Sequence, residues 1–263
     1  MSAFRLPVSG IDVALRHPAG VDDILLAEAG GAELGLAEAV VGALARPLDG
    51  GALVWADITL TDLDAALLAI RRMVLGDRIE SSARCAAQGG GGGCGARIDL
   101  GFHITDYLAQ HRPRMPRGVM RSDEPGWFRL DESTVRFRLP TSADLEAIAP
   151  ARDAARMLAA RCIRPDDVSA RLRRRIERAM DALAPSLYGD LEGTCPECGA
   201  IVGIAFDPQR FVVAELRQHA AFVFEEVHLI AGGYRWTEQE ILRMPRARRA
   251  RYAELIHESR AGG

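Results

Sequence analysis

Apolar residues along this chain recur at two spacings, and the switches between them lay out the elements. Around Ile11 to Leu15 the pattern is that of a short strand stopped by Pro18; Asp22 and Asp23 then open an apolar helix to Ala29, ended by Gly30-Gly31. Leu36 to Ala45 predicts a second helix, and Pro47 to Gly51 a cluster of turns. The clearest helix of this half has Thr61 as its expected N-cap with Asp64 three residues on. Leu63, Leu67, Ile70 and Val74 share one face, and Gly76 ends it. Further along, Val135 to Leu139 reads as a strand, Ser142 and Asp144 start a helix closed by Pro150, and helical signal resumes from Arg152 to Cys162. Asp166 to Leu183 is amphipathic, with Leu172, Ile176, Met180 and Leu183 on its apolar side. Ile201, Val202, Ile204 and Phe206 read as a strand. Asp207 then caps one long helix carrying Val212, Leu216, Ala220, Val223, Val227 and Ile230, which Gly232-Gly233 stops. Thr237-Glu-Gln-Glu240 is a capping box, and Pro245 begins a last helix bearing Tyr252, Leu255 and Ile256.

The order of these elements repeats. Val13 to Asp22 matches Val135 to Asp144 at an offset of 122, Gly76-Asp77 matches Gly189-Asp190 at 113, and Cys94 to Phe102 matches Cys198 to Phe206 at 104. Offsets that keep their order and shrink steadily predict two copies of one unit, the first carrying extra loop residues. The expected organisation is a first module over 1–109, an irregular proline-bearing linker over 110–133, a second module over 134–206, and C-terminal helices over 207–263 with no counterpart in the first half. The expected fold class is α+β: duplicated strand, helix and zinc-knuckle modules forming a shared zinc ribbon, followed by a helical segment.

The chemistry of that pattern is sulfur. Cys195-Pro-Glu-Cys198-Gly is a tight turn that aims two thiolates at one tetrahedral ion. In the first copy the thiols of Cys85 and Cys94 stand eight residues apart, across a run of five glycines that reads as a flexible loop. Closure entropy grows only logarithmically with loop length, so this spacing weakens metal affinity without forbidding it. Cys85, Cys94, Cys195 and Cys198 are the expected ligands of a structural zinc ion. A Cys85 to Cys94 disulfide and a degenerate, non-binding first knuckle are the alternatives. Cys162, in ARMLAARCI, reads as a buried structural thiol.

Composition narrows the classes. The chain has 263 residues and a net charge of −3, and all 33 of its basic residues are arginine. That charge predicts no generic nucleic-acid affinity. Arg5, Pro7 and Asp12 interrupt any apolar run near Met1, and no stretch reaches the roughly 20 apolar residues of a membrane span, so a cytoplasmic protein with reduced thiols is expected. No H-E-x-x-H, G-x-S-x-G or dinucleotide fingerprint occurs, and the glycines at 89–93 lack the Lys-Ser/Thr of a phosphate loop. The six histidines, His17, His103, His111, His219, His228 and His257, form no recognisable grouping. Arginines cluster beside Trp127 (Arg112, Arg114, Arg117, Arg121), between Arg171 and Arg178, and between Arg243 and Arg251, as solvated faces or faces for an acidic partner.

Five segments carry a resemblance: GDRIE at 76–80, VRFRLPTSADL at 135–145, TCPECG at 194–199, FD at 206–207, and WTEQEILRMPRARRARYAELI at 236–256. In content and order they resemble the baseplate hub assembly chaperones of contractile phage tails and phage-derived injection systems, related to those of T-even phages. The chain departs from that pattern at its first knuckle, where C-P-x-C is replaced by the Cys85 to Cys94 loop. The resemblance implies a non-enzymatic assembly factor that binds other tail proteins, such as a hub component or the tape-measure protein, and takes no small-molecule substrate. Helices 208–230 and 245–258 are the expected partner surface. The rival expectation is a zinc-ribbon protein that binds nucleic acid or attends transcription. An enzyme with a zinc-bound water would need only three protein ligands.

Overall fold

The computed structural model describes residues 2–30, 33–85, 94–131 and 133–261; the glycine run at 89–93 lies outside them. The fold is α+β, with four small antiparallel sheets among the described residues.

The first half opens with strands β1 (Ser2–Arg5) and β2 (Asp12–Leu15), helices α1 (Gly20–Glu28) and α2 (Glu33–Leu44), and strand β3 (Ala45–Pro47), which join in the order β1-β2-β3. A clamp sets the turn from β2 into α1. The Asp22 carboxylate accepts the Ala19 N–H at 2.7 Å and both ends of the Arg16 guanidinium, each at 2.7 Å. Helix α3 (Leu60–Leu75) follows, its N-cap being Thr59 rather than the expected Thr61. Thr59 Oγ1 accepts the Asp62 N–H, while Thr61 lies inside the helix and its hydroxyl donates to the Pro185 carbonyl at 2.9 Å. The helix therefore begins two residues earlier, at Leu60, than a cap at Thr61 would set it. Gly76, at φ 94°, stops it. Strands β4 (Arg78–Arg84) and β5 (Arg97–His103) then form a hairpin, and α4 (Ile104–Gln110) follows.

Residues 110–133, expected as an irregular connection, contain β6 (Val119–Arg121) and β7 (Trp127–Leu130). Both are too short and proline-flanked to stand out as periodic runs, and turns at Gly118 (φ 77°) and Gly126 (φ 80°) set them side by side. With β8 (Arg136–Arg138) and β9 (Ile163–Arg164) they make a sheet in the order β6-β7-β8-β9, and the Arg164 guanidinium lies 4.3 Å over the Trp127 ring. Helices α5 (Ser142–Ile148) and α6 (Ala154–Cys162) fall between β8 and β9, and α7 (Ala170–Leu183) covers the sheet with Ile176, Ala179 and Leu183.

Local geometry recurs between the halves. Leu15 pairs with Ala45 across β2 and β3, as Phe137 pairs with Ile163 across β8 and β9. Arg138 clamps Asp144 bidentately at 2.5 and 2.8 Å at the start of α5, as Arg16 clamps Asp22 at the start of α1. A hairpin, β10 (Gly189–Thr194) and β11 (Ile201–Phe206), follows α7 as β4 and β5 follow α3.

The single long helix expected after Asp207 is two: α8 (Pro208–Ala220) and α9 (Val223–Tyr234). No proline or glycine marks the break at Ala221 and Phe222, because it serves packing. α8 buries Val212 and Leu216 in the same core as α1 to α3, whereas α9 turns away to pack its Leu229 and Ile230 with Ile241, Ala253 and Ile256. The latter three come from α10 (Glu238–Leu242), whose Thr237 to Glu240 capping box forms as expected, and α11 (Arg246–Ala261). α8 occupies the place after β11 that the shorter α4 occupies after β5, so the segment beyond Phe206 does begin with a counterpart in the first half.

The C-terminal helices close back on α1. Arg246 and Arg249 both pair with the fully buried Asp23, and Arg249, itself buried, also pairs with Glu226. Gly20 makes room for this: a Cβ there would stand 2.6 Å from Arg249 Nη1 and 2.7 Å from Leu242 Cα. The basic cluster of the last helix is thus partly internal, and the apolar face of α8 is core. Part of the expected partner surface is thereby covered, while Arg248 and Arg251 on α11 and Phe224 on α9 stay exposed.

Candidate metal centre

The two hairpins face one another, and their tips carry the four predicted cysteines. In the second hairpin the Cys195 N–H donates to the Ala200 carbonyl at 2.8 Å and the Gly199 N–H to the Cys195 carbonyl at 2.9 Å. In the first, the Cys85 N–H donates to Ala96 at 2.8 Å and the Gly95 N–H to Cys85 at 3.2 Å. Gly95 and Gly199 share a φ of +72°, a conformation that favours glycine. The turn closes in the same way whether two residues or eight separate the thiols.

Sulfurs from opposite hairpins pair: Cys85 Sγ to Cys198 Sγ at 3.6 Å, and Cys94 Sγ to Cys195 Sγ at 3.6 Å. All four lie within 4.8 Å of one another. Zinc-to-thiolate bonds of about 2.3 Å in a tetrahedron put sulfurs about 3.8 Å apart, so the donor set fits one such ion. Cys85 and Cys195 are buried, Cys94 and Cys198 exposed, and all are free thiols, so the alternative Cys85 to Cys94 disulfide is not formed. Among the described residues this is the only grouping of three or more side chains able to hold a metal ion.

Packing supports the site. Ile98 and Val202 are buried against Cys85 and Cys195, and Gly193 permits the close approach of the hairpins, since a Cβ there would stand 2.5 Å from Leu100 Cδ2. At the far end Phe102 meets Phe206 edge to face at 5.1 Å, Tyr107 packs tilted against Phe102 and edge-on to Phe206, and the Tyr107 hydroxyl donates to the Leu187 carbonyl at 2.7 Å. Sulfur at the tips and aromatic rings at the base hold the hairpins together, leaving between them a cavity of about 430 Å³ walled by Leu100, Leu191, Ile204 and Phe211.

The electrostatics ask for a cation. Burial, reinforced by the neighbouring sulfurs, pushes the Cys85 thiol up to about 12, while the Ala200 N–H and the other thiols hold Cys198 down to about 7. Four thiolates this close repel one another, and only a bound cation makes the full set favourable. A filled all-sulfur tetrahedron has no position left for water, so such an ion would be structural.

Cys162, read from sequence as a buried thiol, is 1% exposed, and burial raises it to about 11; its Sγ stands 3.9 Å from Asp144. Two features escaped the sequence reading. Asp144 accepts Arg161 as well as Arg138, and although burial opposes ionisation, these guanidiniums and the Thr141 N–H hold its carboxyl well below the usual range. The Arg-x₅-Asp spacing common to both halves was the available signal. Asp64 is buried on α3, takes one hydrogen bond from Gln209 at 2.8 Å, and is pushed by burial up to about 7. The histidines remain dispersed: His103 lies 3.3 Å from Asp77, and His111 hydrogen-bonds the Tyr107 carbonyl at 2.8 Å.

Among the described residues, no helix is long and apolar enough to cross a membrane. No family model matches the sequence, and neither a curated protein nor a solved structure matches it.

Proposed function

We propose that this chain is a non-enzymatic, zinc-stapled scaffold that binds other proteins during assembly of a contractile tail or a related injection system. One observation carries the reading: four thiols from two hairpins about a hundred residues apart converge at tetrahedral spacing, with no fourth position left open for a substrate. A closed site ties distant segments together and does no chemistry on a ligand. The matching strand registers, Arg-Asp clamps and turn closures support a duplicated module whose two knuckles share one zinc ribbon. The tail-assembly role rests on the five resembling segments, of which TCPECG and the clamp segment VRFRLPTSADL belong to these same devices. Its partners are then other tail proteins, a hub component or the tape-measure protein, met in the cytoplasm where thiols stay reduced.

Two measurements test this. Elemental analysis of the purified chain is expected to give one zinc per molecule, and cobalt substitution the spectrum of a tetrahedral thiolate site; a stoichiometry near zero under reducing conditions overturns the staple. Co-expression with the hub and tape-measure proteins of the same gene cluster is expected to yield a stable complex. Failure of that complex, together with salt-sensitive binding of duplex DNA, would establish the nucleic-acid reading in its place.

A further inference from the structure

Beyond α4 the chain runs toward α7, where the Arg114 N–H donates to the Ala182 carbonyl at 2.8 Å, and on the way His111 and Arg112 help to line a cavity of about 290 Å³ between β1, α3 and α4. Its wall is of two kinds. Phe4, Leu108 and Leu187 belong to the first core, and Pro7 stands beside them, so one side is apolar. Arg5, Arg72, His111 and Arg112 bring the charge, and among the described residues no carboxylate lines the cavity, in a chain whose total is −3. The acids nearby are engaged: Asp12 pairs with Arg5 at 3.0 Å, and Asp77, which feels the charge of Arg72, accepts the N–H and hydroxyl of Thr105 at 3.2 and 2.8 Å. Arg72 gives Nη1 to the Thr105 hydroxyl at 3.1 Å. Arg112 is exposed, and among the described residues its guanidinium has neither an ion pair nor a hydrogen bond.

Such a wall selects its ligand twice. A bare anion such as phosphate satisfies the guanidiniums and leaves the apolar side in water, whereas a hydrocarbon leaves the guanidiniums without a counter-charge. Both are met by a carboxylate joined through a few bonds to an apolar group. The volume lies at the small end of ligand pockets and admits one residue-sized group. The last residue of a polypeptide has this composition, because its side chain and its α-carboxylate leave the same Cα and the chain continues on one side only. An internal glutamate offers a short apolar stem and needs room for chain on both sides.

We propose that this cavity holds the carboxyl-terminal residue of a partner protein, with an apolar side chain against Phe4, Leu108 and Leu187 and the carboxylate on Arg72 and Arg112. The site rests on reading the chain as a protein-binding scaffold and names how a partner is held. Arg72, on the last turn of α3 and already oriented by the Thr105 hydroxyl, is set in place before the ligand arrives, and His111 is tied through Nδ1 to the Tyr107 carbonyl. Pre-set donors lose little freedom on binding.

The test uses the full zinc-loaded chain and short fluorescein-labelled peptides of one sequence ending in leucine, with a free or an amidated terminus. Fluorescence anisotropy is expected to show the free-carboxylate peptide bound with a dissociation constant of about 0.1 mM or tighter, and the amidated one bound about tenfold more weakly or not at all. Arg72→Gln and Arg112→Gln are each expected to weaken the free-carboxylate peptide about tenfold. Ala109→Phe, at an exposed position of α4 that lines the cavity, is expected to block it. Unchanged helicity and zinc content in these variants exclude misfolding. The proposal is overturned if the free-carboxylate peptide shows no binding by about 1 mM, if the amidated peptide binds as well, if the variants leave binding unchanged, or if octanoate or inorganic phosphate binds as tightly as the peptide. Any of these in a chain that keeps one zinc and its complex with the hub or tape-measure protein sinks the cavity site and leaves the scaffold intact; absence of the zinc or of that complex in the wild-type chain would sink the scaffold itself.

Discussion

Hairpin β4–β5 and hairpin β10–β11 bring their sulfurs to one point from unequal sequences. The second does so with a compact Pro-Glu turn, the first across eight residues, and both close with the same pair of backbone hydrogen bonds and a glycine at φ +72°. Ligand spacing in sequence is therefore a poor measure of ligand geometry. What places the thiols is the strand pairing beneath them, which runs seven residues deep in the first hairpin and six in the second. The contrast widens lower down, where the halves share devices but not surroundings: α3 is buried on every side from Thr61 to Arg71, and α7 has one side exposed.

The sharpest way to break the equivalence of the hairpins is to remove one thiol from each. Cys85→Ser and Cys195→Ser are expected to abolish zinc retention alike and to lower the melting temperature by roughly 10 °C or more. Calorimetry alongside elemental analysis checks this, and a Cys85→Ser chain that keeps its metal would show the first knuckle to be ornamental. Next come the clamps. Asp144→Asn leaves two guanidiniums, Arg138 and Arg161, without a counter-charge and should cost about 3 kcal/mol, whereas Asp22→Asn, with the single partner Arg16 and a less buried carboxylate, should cost about 1 kcal/mol in chemical denaturation. Because the Asp144 carboxyl is depressed in the folded state, its contribution is present above the ordinary carboxylate value near 4 and fades as pH falls below it. The difference between wild type and Asp144→Asn should shrink accordingly in acid.

Asp64 runs the other way. Raised to about 7 in the fold, it is held protonated there while the unfolded chain ionises, so stability declines as pH climbs from about 4 to 7. Asp64→Asn keeps the Gln209 hydrogen bond and should stabilise the protein by on the order of 2 kcal/mol at pH 8, with little effect at pH 4. An equal gain at both values would assign the effect to packing. The smallest effect sharpens the first comparison: replacing residues 86–93 by Pro-Glu removes loop-closure cost of about 1 kcal/mol and should raise zinc affinity roughly fivefold in a chelator competition.

Much of this was legible from residues alone. The four cysteines that converge, the C-terminal capping box and the boundaries of α2 and α3 to within a few positions follow from local rules, because cysteine spacing, caps and glycine stops act over short stretches of chain. What escaped depends on contacts distant in sequence. β6 and β7 are three and four residues long and are strands only because β8 lies beside them. The break between α8 and α9 has no residue signal, since two cores pull the helix apart. Arg246 and Arg249 read as a solvated cluster until α1 is brought against them. Long-range pairing of charge is invisible to periodicity.

The burial of Asp23 sets a timetable for biosynthesis. Its carboxylate has no exposure, and its guanidinium partners lie 223 and 226 residues further along. While the ribosome is still making the middle of the protein, that acid has nothing to neutralise it and must stay hydrated, holding the face of the first helix open to water. The amino-terminal layer can collapse early but cannot seal until residues 246 to 249 emerge from the exit tunnel. A nascent chain stalled before that point should be cut by protease within α1, and one released just after it should be spared.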